Sequence, residues 1–256
     1  MKRAKVSCKH FYLLFMMLAL PSGLLNGQVL PEMPQEWIET CLPQTSKTIS
    51  VCSSGCTYLN TELQKAIQDA TPGTTIMLEP GVSYTGPFDL PEKNGDGWIV
   101  IRTSIDDQDL PGINERIRPE GAINLAKILA KPGLPAFKTK SRAHHYYFLG
   151  IEIAATDFSW NVVEIGSGEK NIDDLPHDLT FDRVYLHGHP GLGSRRGIAM
   201  NGRRIAVVNS WLSDFKEVGF DSQALCAWNG TTFKIVNNHL EGSGENVMFG
   251  GAKPSI

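Results

Sequence analysis

Three loops in the second half of the chain concentrate residues able to handle an acidic sugar: HGHPGLGSRRG from His187, SDFKEVGFDSQ from Ser213 and EGSGEN from Glu241. Arg195, Arg196 and Lys216 are their candidate proton acceptors, since a basic side chain held against a weak carbon acid can take its proton. Asp214, Asp221, Gln223, Glu241 and Glu245 offer oxygens to sugar hydroxyls, and the acidic ones among them could hold calcium. Trp211, outward by register, offers an aromatic face to a sugar or to lateral packing. Counting back from the glycine that closes each following strand, Arg196 and Glu245 take equivalent positions two repeats apart, with Ala224 between them.

Other reactive residues give less pointed patterns. His187 and His189 alternate onto one side, but Pro190 and Gly191 begin a turn at once, and the adjacent His144 and His145 are expected to point to opposite faces. Trp160 invites sugar stacking, whereas Trp228 falls at an inward position and reads as core. Cys226 is placed inward between Ile198 and Val247, a buried thiol rather than a nucleophile. Cys52 and Cys56 bracket a loop short enough for a disulfide, and no CxxC pairs or zinc-finger spacings occur.

The elements that must position these loops are legible as a repeat. Leu179, Phe181, Val184 and Leu186 overlay Ile205, Val207, Ser210 and Leu212, then Phe233, Ile235, Asn238 and Leu240, at steps of 26 and 28 residues. Periods of this size mark solenoids, whose coils bury their apolar side by stacking on neighbours. Residues two apart share a strand face, so the three-residue step from Phe181 to Val184 requires a corner. Arg183, Asn209 and Asn237 stand at that corner, and Asn tolerates left-handed backbone while its amide can ladder between coils; Arg183 interrupts the ladder. Tyr146, Phe148, Ile151 and Ile153 fit the same spacing around Gly150. A further strand precedes each unit (Ile198, Met200; Cys226, Trp228; Val247, Phe249), and Val162 to Gly166 fits this pattern only if its register slips by one, because Glu164 would otherwise point inward. The expected fold is all-β: a right-handed parallel β-helix with three strands per coil.

One helix is expected, Thr61 to Ala70, with a Thr61–Gln64 capping box and Leu63, Ile67 and Ala70 on one face. Set before the first coil, it would cap the open end of the core. Lys2, Arg3, Lys5 and Lys9 ahead of the apolar run Phe11 to Leu20 read as an export signal over 1–27 that is too short for a stable membrane span, followed by an N-terminal extension over 28–56 and the β-helix over 57–256. Removing those four basic residues makes the formal charge of −3 more negative, which argues against a nucleic-acid partner. The chain stops one strand into a coil, so the β-helix is expected to continue in a longer protein.

The run from Cys56 through TYLNTELQKAIQDATPGTTIMLEPGVSYTG to GWIVIRTS, with RRGIAMNG, DSQALCAWNG and NNHLEGSGENVMFGG downstream, resembles secreted β-helix proteins of the pectate-lyase-like superfamily. The resemblance implies a secreted or periplasmic protein directed at a polysaccharide. Lyases of this group remove the proton beside a uronate carboxyl with an Arg or Lys base, often with calcium, whereas other members only bind carbohydrate or serve in surface adhesion. No catalytic signature of pectate lyases or polygalacturonases is matched, so the resemblance assigns no active-site residue.

Overall fold

The structure, a computed structural model, describes residues 36–256, so the export signal at 1–27 lies outside the described residues. These residues wind into a right-handed parallel β-helix whose three parallel sheets hold eight, six and six strands. From Thr74 onward each coil contributes one strand to each sheet, for example His177–Asp182, Tyr185–His187 and Arg196–Met200, then Arg203–Val208, Trp211–Phe215 and Gln223–Ala227, while two strands before Thr74 join the first sheet alone. The expected register holds in the first two sheets: Leu179 pairs with Ile205 and Ile205 with Phe233, while Leu186, Leu212 and Leu240 form one column. Leu186 and Leu212 are buried, and Leu240 on the last coil is half-buried.

The corner between these sheets is left-handed in four successive coils, at Gly150 (φ 58°), Arg183 (φ 51°), Asn209 (φ 53°) and Asn237 (φ 56°). Side-chain hydrogen bonds offset the strain this imposes on non-glycine residues. Asn237 Nδ2 donates to Asn209 Oδ1 at 2.9 Å, and Asn209 Nδ2 donates to Asp182 Oδ1 at 3.0 Å. The amide ladder ends at Arg183, as expected: Arg183 Nη2 donates to Asp182 Oδ2 at 2.7 Å, so the row terminates on a neutralised carboxylate.

The capping helix is shorter than expected, Leu63–Asp69, behind a 3-10 turn over Asn60–Glu62. The Thr61–Gln64 box does not form. Leu59 N–H donates instead to Glu62 Oε2 at 2.9 Å, and Gln64 docks the helix by accepting from Asp89 N–H at 2.8 Å. Leu63, Ala66, Ile67 and Ala70 join the same core as Ile49, Val51 and Ile76, which closes the end of the coil stack. The β-helix also begins earlier than residue 57, because Lys47–Cys52 pairs in parallel with Thr74–Leu78. Cys52 and Cys56 are joined in a disulfide, with Cα atoms 5.9 Å apart.

The third sheet departs from the expected register. Leu225, not Cys226, lies between Ile198 and Val247, and Cys226 pairs with Ala199 and Met248. The cause is one extra residue in the turn: Asn201 Oδ1 accepts from both Trp228 N–H and Asn229 N–H, so the two-residue turn Asn201–Gly202 faces the three-residue turn Trp228–Gly230 in the next coil. Aligning the strands on their closing glycines carried that insertion back into the strand. Trp228 is therefore not core; it is half-buried on the outer surface. Upstream, Glu164 does point out, paired with Lys138 at 3.0 Å, while Val163 and Ile165 face the core.

Gly230 closes this turn at φ +98°, and a Cβ there would stand 2.2 Å from the Gly202 carbonyl oxygen. Gly230→Ala is expected to destabilise the protein by more than about 1 kcal/mol, from strain and clash together. A denaturant midpoint equal to that of the unsubstituted protein would show that the turn relaxes freely.

Candidate functional site

The third-sheet strands bend near their start, and that bend aligns the candidate residues. Val162 and Val163, and likewise Ala224 and Leu225, are consecutive residues of one core, and a Cβ on Gly197, beside Ile198, would meet the buried Phe215 ring at 2.8 Å. Two inward positions in a row turn the preceding residue outward. Asn161, Arg196, Gln223 and Glu245 are those preceding residues, and they stand in register on four successive coils. Arg196 and Glu245 thus share a row as expected, but Gln223 rather than Ala224 lies between them. Arg196 Nε donates to Gln223 Oε1 at 3.3 Å, and Gln223 Nε2 donates to the exposed Glu245 at 2.8 Å.

Arg195 stands beside this row, enclosed by loops of the neighbouring coils. Its guanidinium carbon lies 5.5 Å from the Trp160 ring centre and 4.9 Å from that of Phe220. Its Nε faces Glu217 Oε2 at 3.5 Å, a contact too long and poorly aligned to satisfy either buried atom as a hydrogen bond. Both aromatic rings remain about half exposed, Trp160 at 50% and Phe220 at 56%. Arg196 in turn lies 5.2 Å over the Trp228 ring. Burial, together with the neighbouring Arg195 charge, pulls the Arg196 pKa below the ordinary arginine range despite opposing pulls from Cys226 and Glu217. Burial pushes the Cys226 thiol up to about 12, so it stays protonated at neutral pH.

The other candidates disperse. Lys216 turns away from the two arginines: its Nζ donates to the Pro190 carbonyl at 2.6 Å and lies 3.4 Å from Asp214. Asp221 is exposed. Trp211 is outward as expected but sits in a separate group, stacked on His239 at 3.7 Å and overlain by Arg116. Glu241 belongs with that group, 3.9 Å from His239. His187 faces Glu152 at 3.2 Å, whereas His189 Nδ1 accepts from Gly191 N–H and Leu192 N–H to close its own turn, so the two do not form a ligand pair. Among the described residues the only trio of His, Cys, Asp or Glu close enough to share an ion is His145, His177 and Asp178, away from these loops.

Sequence reasoning missed Glu217 and Phe220, although both lie in the loop SDFKEVGFDSQ. Their neighbours Lys216 and Asp221 drew attention as charges, but only the antiparallel bridge between Glu217 and Phe220, with Gly219 at φ +82°, brings those two to Arg195.

No family model and no curated protein matches the chain. Among solved structures it is similar to an alginate lyase from Paenibacillus sp. str. FPU-7, at 16% identity and a TM-score of 0.44, over 75% of this chain. The chain spans 65% of the length of that structure.

Proposed function

We propose that this protein is exported and binds a uronate-bearing polysaccharide across the loops that open the third sheet, cleaving it by β-elimination with Arg196 as the base. The observation that carries this reading is the Arg195 guanidinium held between two half-exposed aromatic rings, next to the row Arg196, Gln223 and Glu245. Aromatic faces take the apolar faces of sugar rings, and a guanidinium matches a carboxylate in two-pronged geometry. The arginine pair favours an acidic sugar over a neutral one. Glu245, exposed at the end of the row, is positioned to accept from hydroxyls, while Glu217 backs Arg195 from the buried side.

In this reaction Arg195 neutralises the uronate carboxylate, which acidifies the neighbouring C5–H. Burial lowers the Arg196 pKa, and the fraction of Arg196 that has released its own proton to solvent has the free nitrogen lone pair that takes the C5 proton. The C5–H electron pair forms the C4–C5 double bond, the C4–O4 bond breaks, and the departing oxygen takes a proton from solvent. Among the described residues no three carboxylates converge at this face, so calcium there would draw on carbonyl, water or sugar oxygens as well. Export fits the basic and apolar pattern ahead of Gly27 and the Cys52–Cys56 disulfide, a bond that persists in oxidising compartments. Among the described residues no helix is long and apolar enough to cross a membrane.

Trp160→Ala is expected to weaken binding of a uronate polymer by about tenfold, the scale of one aromatic contact of ~1.4 kcal/mol. Arg195→Ala should weaken it at least as much and flatten its salt dependence. Titration calorimetry on uronate and neutral polymers, with and without calcium, checks both. Equal affinity for neutral polymers, or no effect of either substitution, would remove the acidic-sugar reading; binding without any product would leave the face as a carbohydrate-binding or adhesion surface.

A further inference from the structure

At the opposite end of the third-sheet strands, where each chain segment turns into the first sheet, a different cluster forms. The first-sheet strands start with His144, His177, Arg203 and Thr231, in register on four successive coils. The next residue in each is left-handed: His145 (φ 57°), Asp178 (φ 54°), Arg204 (φ 50°) and Thr232 (φ 60°). Consecutive side chains of a regular strand point to opposite faces, but an inserted left-handed residue interrupts that alternation. The expectation that His144 and His145 point apart therefore fails. Their Nδ1 atoms lie 2.7 Å apart, and one coil on, His177 Nδ1 lies 2.6 Å from Asp178 Oδ2.

We propose that His145, His177 and Asp178 form a binding site for a divalent first-row transition-metal ion, zinc being the type case. Their ligand atoms all lie within 4.8 Å of one another, close enough to share one ion. Two imidazole nitrogens and a carboxylate oxygen are the donor set of zinc, nickel or copper rather than of calcium, which takes oxygens. Three protein ligands leave a fourth position for water, or for His144, whose ring stacks on His177 at 4.9 Å. The outer shell is also built. Arg204 donates to both Asp178 oxygens, Nε to Oδ1 at 2.8 Å and Nη2 to Oδ2 at 2.5 Å, and fixes the carboxylate as outer partners of ligating carboxylates do. Trp98 meets the His145 ring edge-on at 5.0 Å and shields one side of the site. The positive charge of Arg204 opposes the incoming cation, which lowers the affinity below that of structural zinc sites. The site stands apart from the arginine loops, at the far end of the strands, and does not rest on the polysaccharide reading.

The test is calorimetric titration of the tag-free, metal-stripped full chain with Zn2+, Ni2+ and Ca2+, together with the visible spectrum of the Co2+ form. One equivalent of Zn2+ should bind, Ca2+ should not compete, and Co2+ should give the intense bands of low-coordinate nitrogen and oxygen ligation. His145→Ala and His177→Ala should each weaken Zn2+ by about tenfold or more, while His189→Ala leaves it unchanged. Should a histidine variant fail to fold, imidazole NMR of the unsubstituted protein decides: Co2+ should shift the His145 and His177 ring signals first. Absence of stoichiometric binding, indifference to both substitutions, or first shifts at other histidines would each overturn the site and leave the cluster as stacked, hydrogen-bonded imidazoles.

Discussion

Arg196→Ala is expected to lower the turnover of a uronate polymer by about 10²- to 10⁴-fold, the range of a positioned general base. The loss should fall on kcat more than on KM, because the Arg195 contact to the carboxylate and the Trp160 and Phe220 faces are left in place. Arg196 also hydrogen-bonds Gln223 and overlies Trp228, so circular dichroism and a denaturation curve must accompany the kinetics. Arg196→Lys should recover part of the rate, since an ammonium can give up its proton but cannot reach Gln223 through the same planar fork. Lys216→Ala, by contrast, should leave turnover within a few fold, because Lys216 is engaged with Pro190 and Asp214. Equal losses in kcat for Lys216→Ala and Arg196→Ala would move the base to the wrong loop.

Phe181→Ala is expected to cost about 3–5 kcal/mol, the range for removing a fully buried aromatic ring. Phe181 has no exposed surface and stacks on Phe148 at 4.6 Å, which in turn meets Phe137 at 4.9 Å. This aromatic column spans neighbouring coils and two sheets, so its loss leaves a cavity lined by coils that contact only their neighbours. Chemical denaturation followed by circular dichroism should show the midpoint fall sharply, and a change under about 1 kcal/mol would mean that the core collapses around the gap. Phe181→Leu should recover more than half of the loss, since it refills much of the volume without polar atoms.

The fold was legible because a repeat states its own register. Leu186, Leu212 and Leu240 announce a column, and the three-residue step around Arg183, Asn209 and Asn237 announces the corner, without any long-range information. The third sheet was misread by one residue because its turns differ in length: the insertion at Trp228 cannot be told from a strand residue when the only marker is the glycine beyond it. The site was legible in part for the same reason. Arg196 and Glu245 could be aligned across coils, and Arg195 came with them as a neighbour in sequence. Glu217, Phe220 and the position of Trp160 against Arg195 depend on loop closures that no periodicity encodes. The histidine cluster was hidden by the assumption of strict alternation, which left-handed residues at His145 and Asp178 break.

Incubating the purified protein with a panel of uronate polymers, with and without calcium, and following the ultraviolet absorbance of the unsaturated ends decides whether the arginine loops cleave. Absorbance should rise with at least one uronate polymer and with no neutral polysaccharide, and the rise should be lost in Arg196→Ala. No absorbance change and no binding to any uronate polymer under either condition would contradict the polysaccharide reading, and would leave the arginine loops as a structural edge of the solenoid.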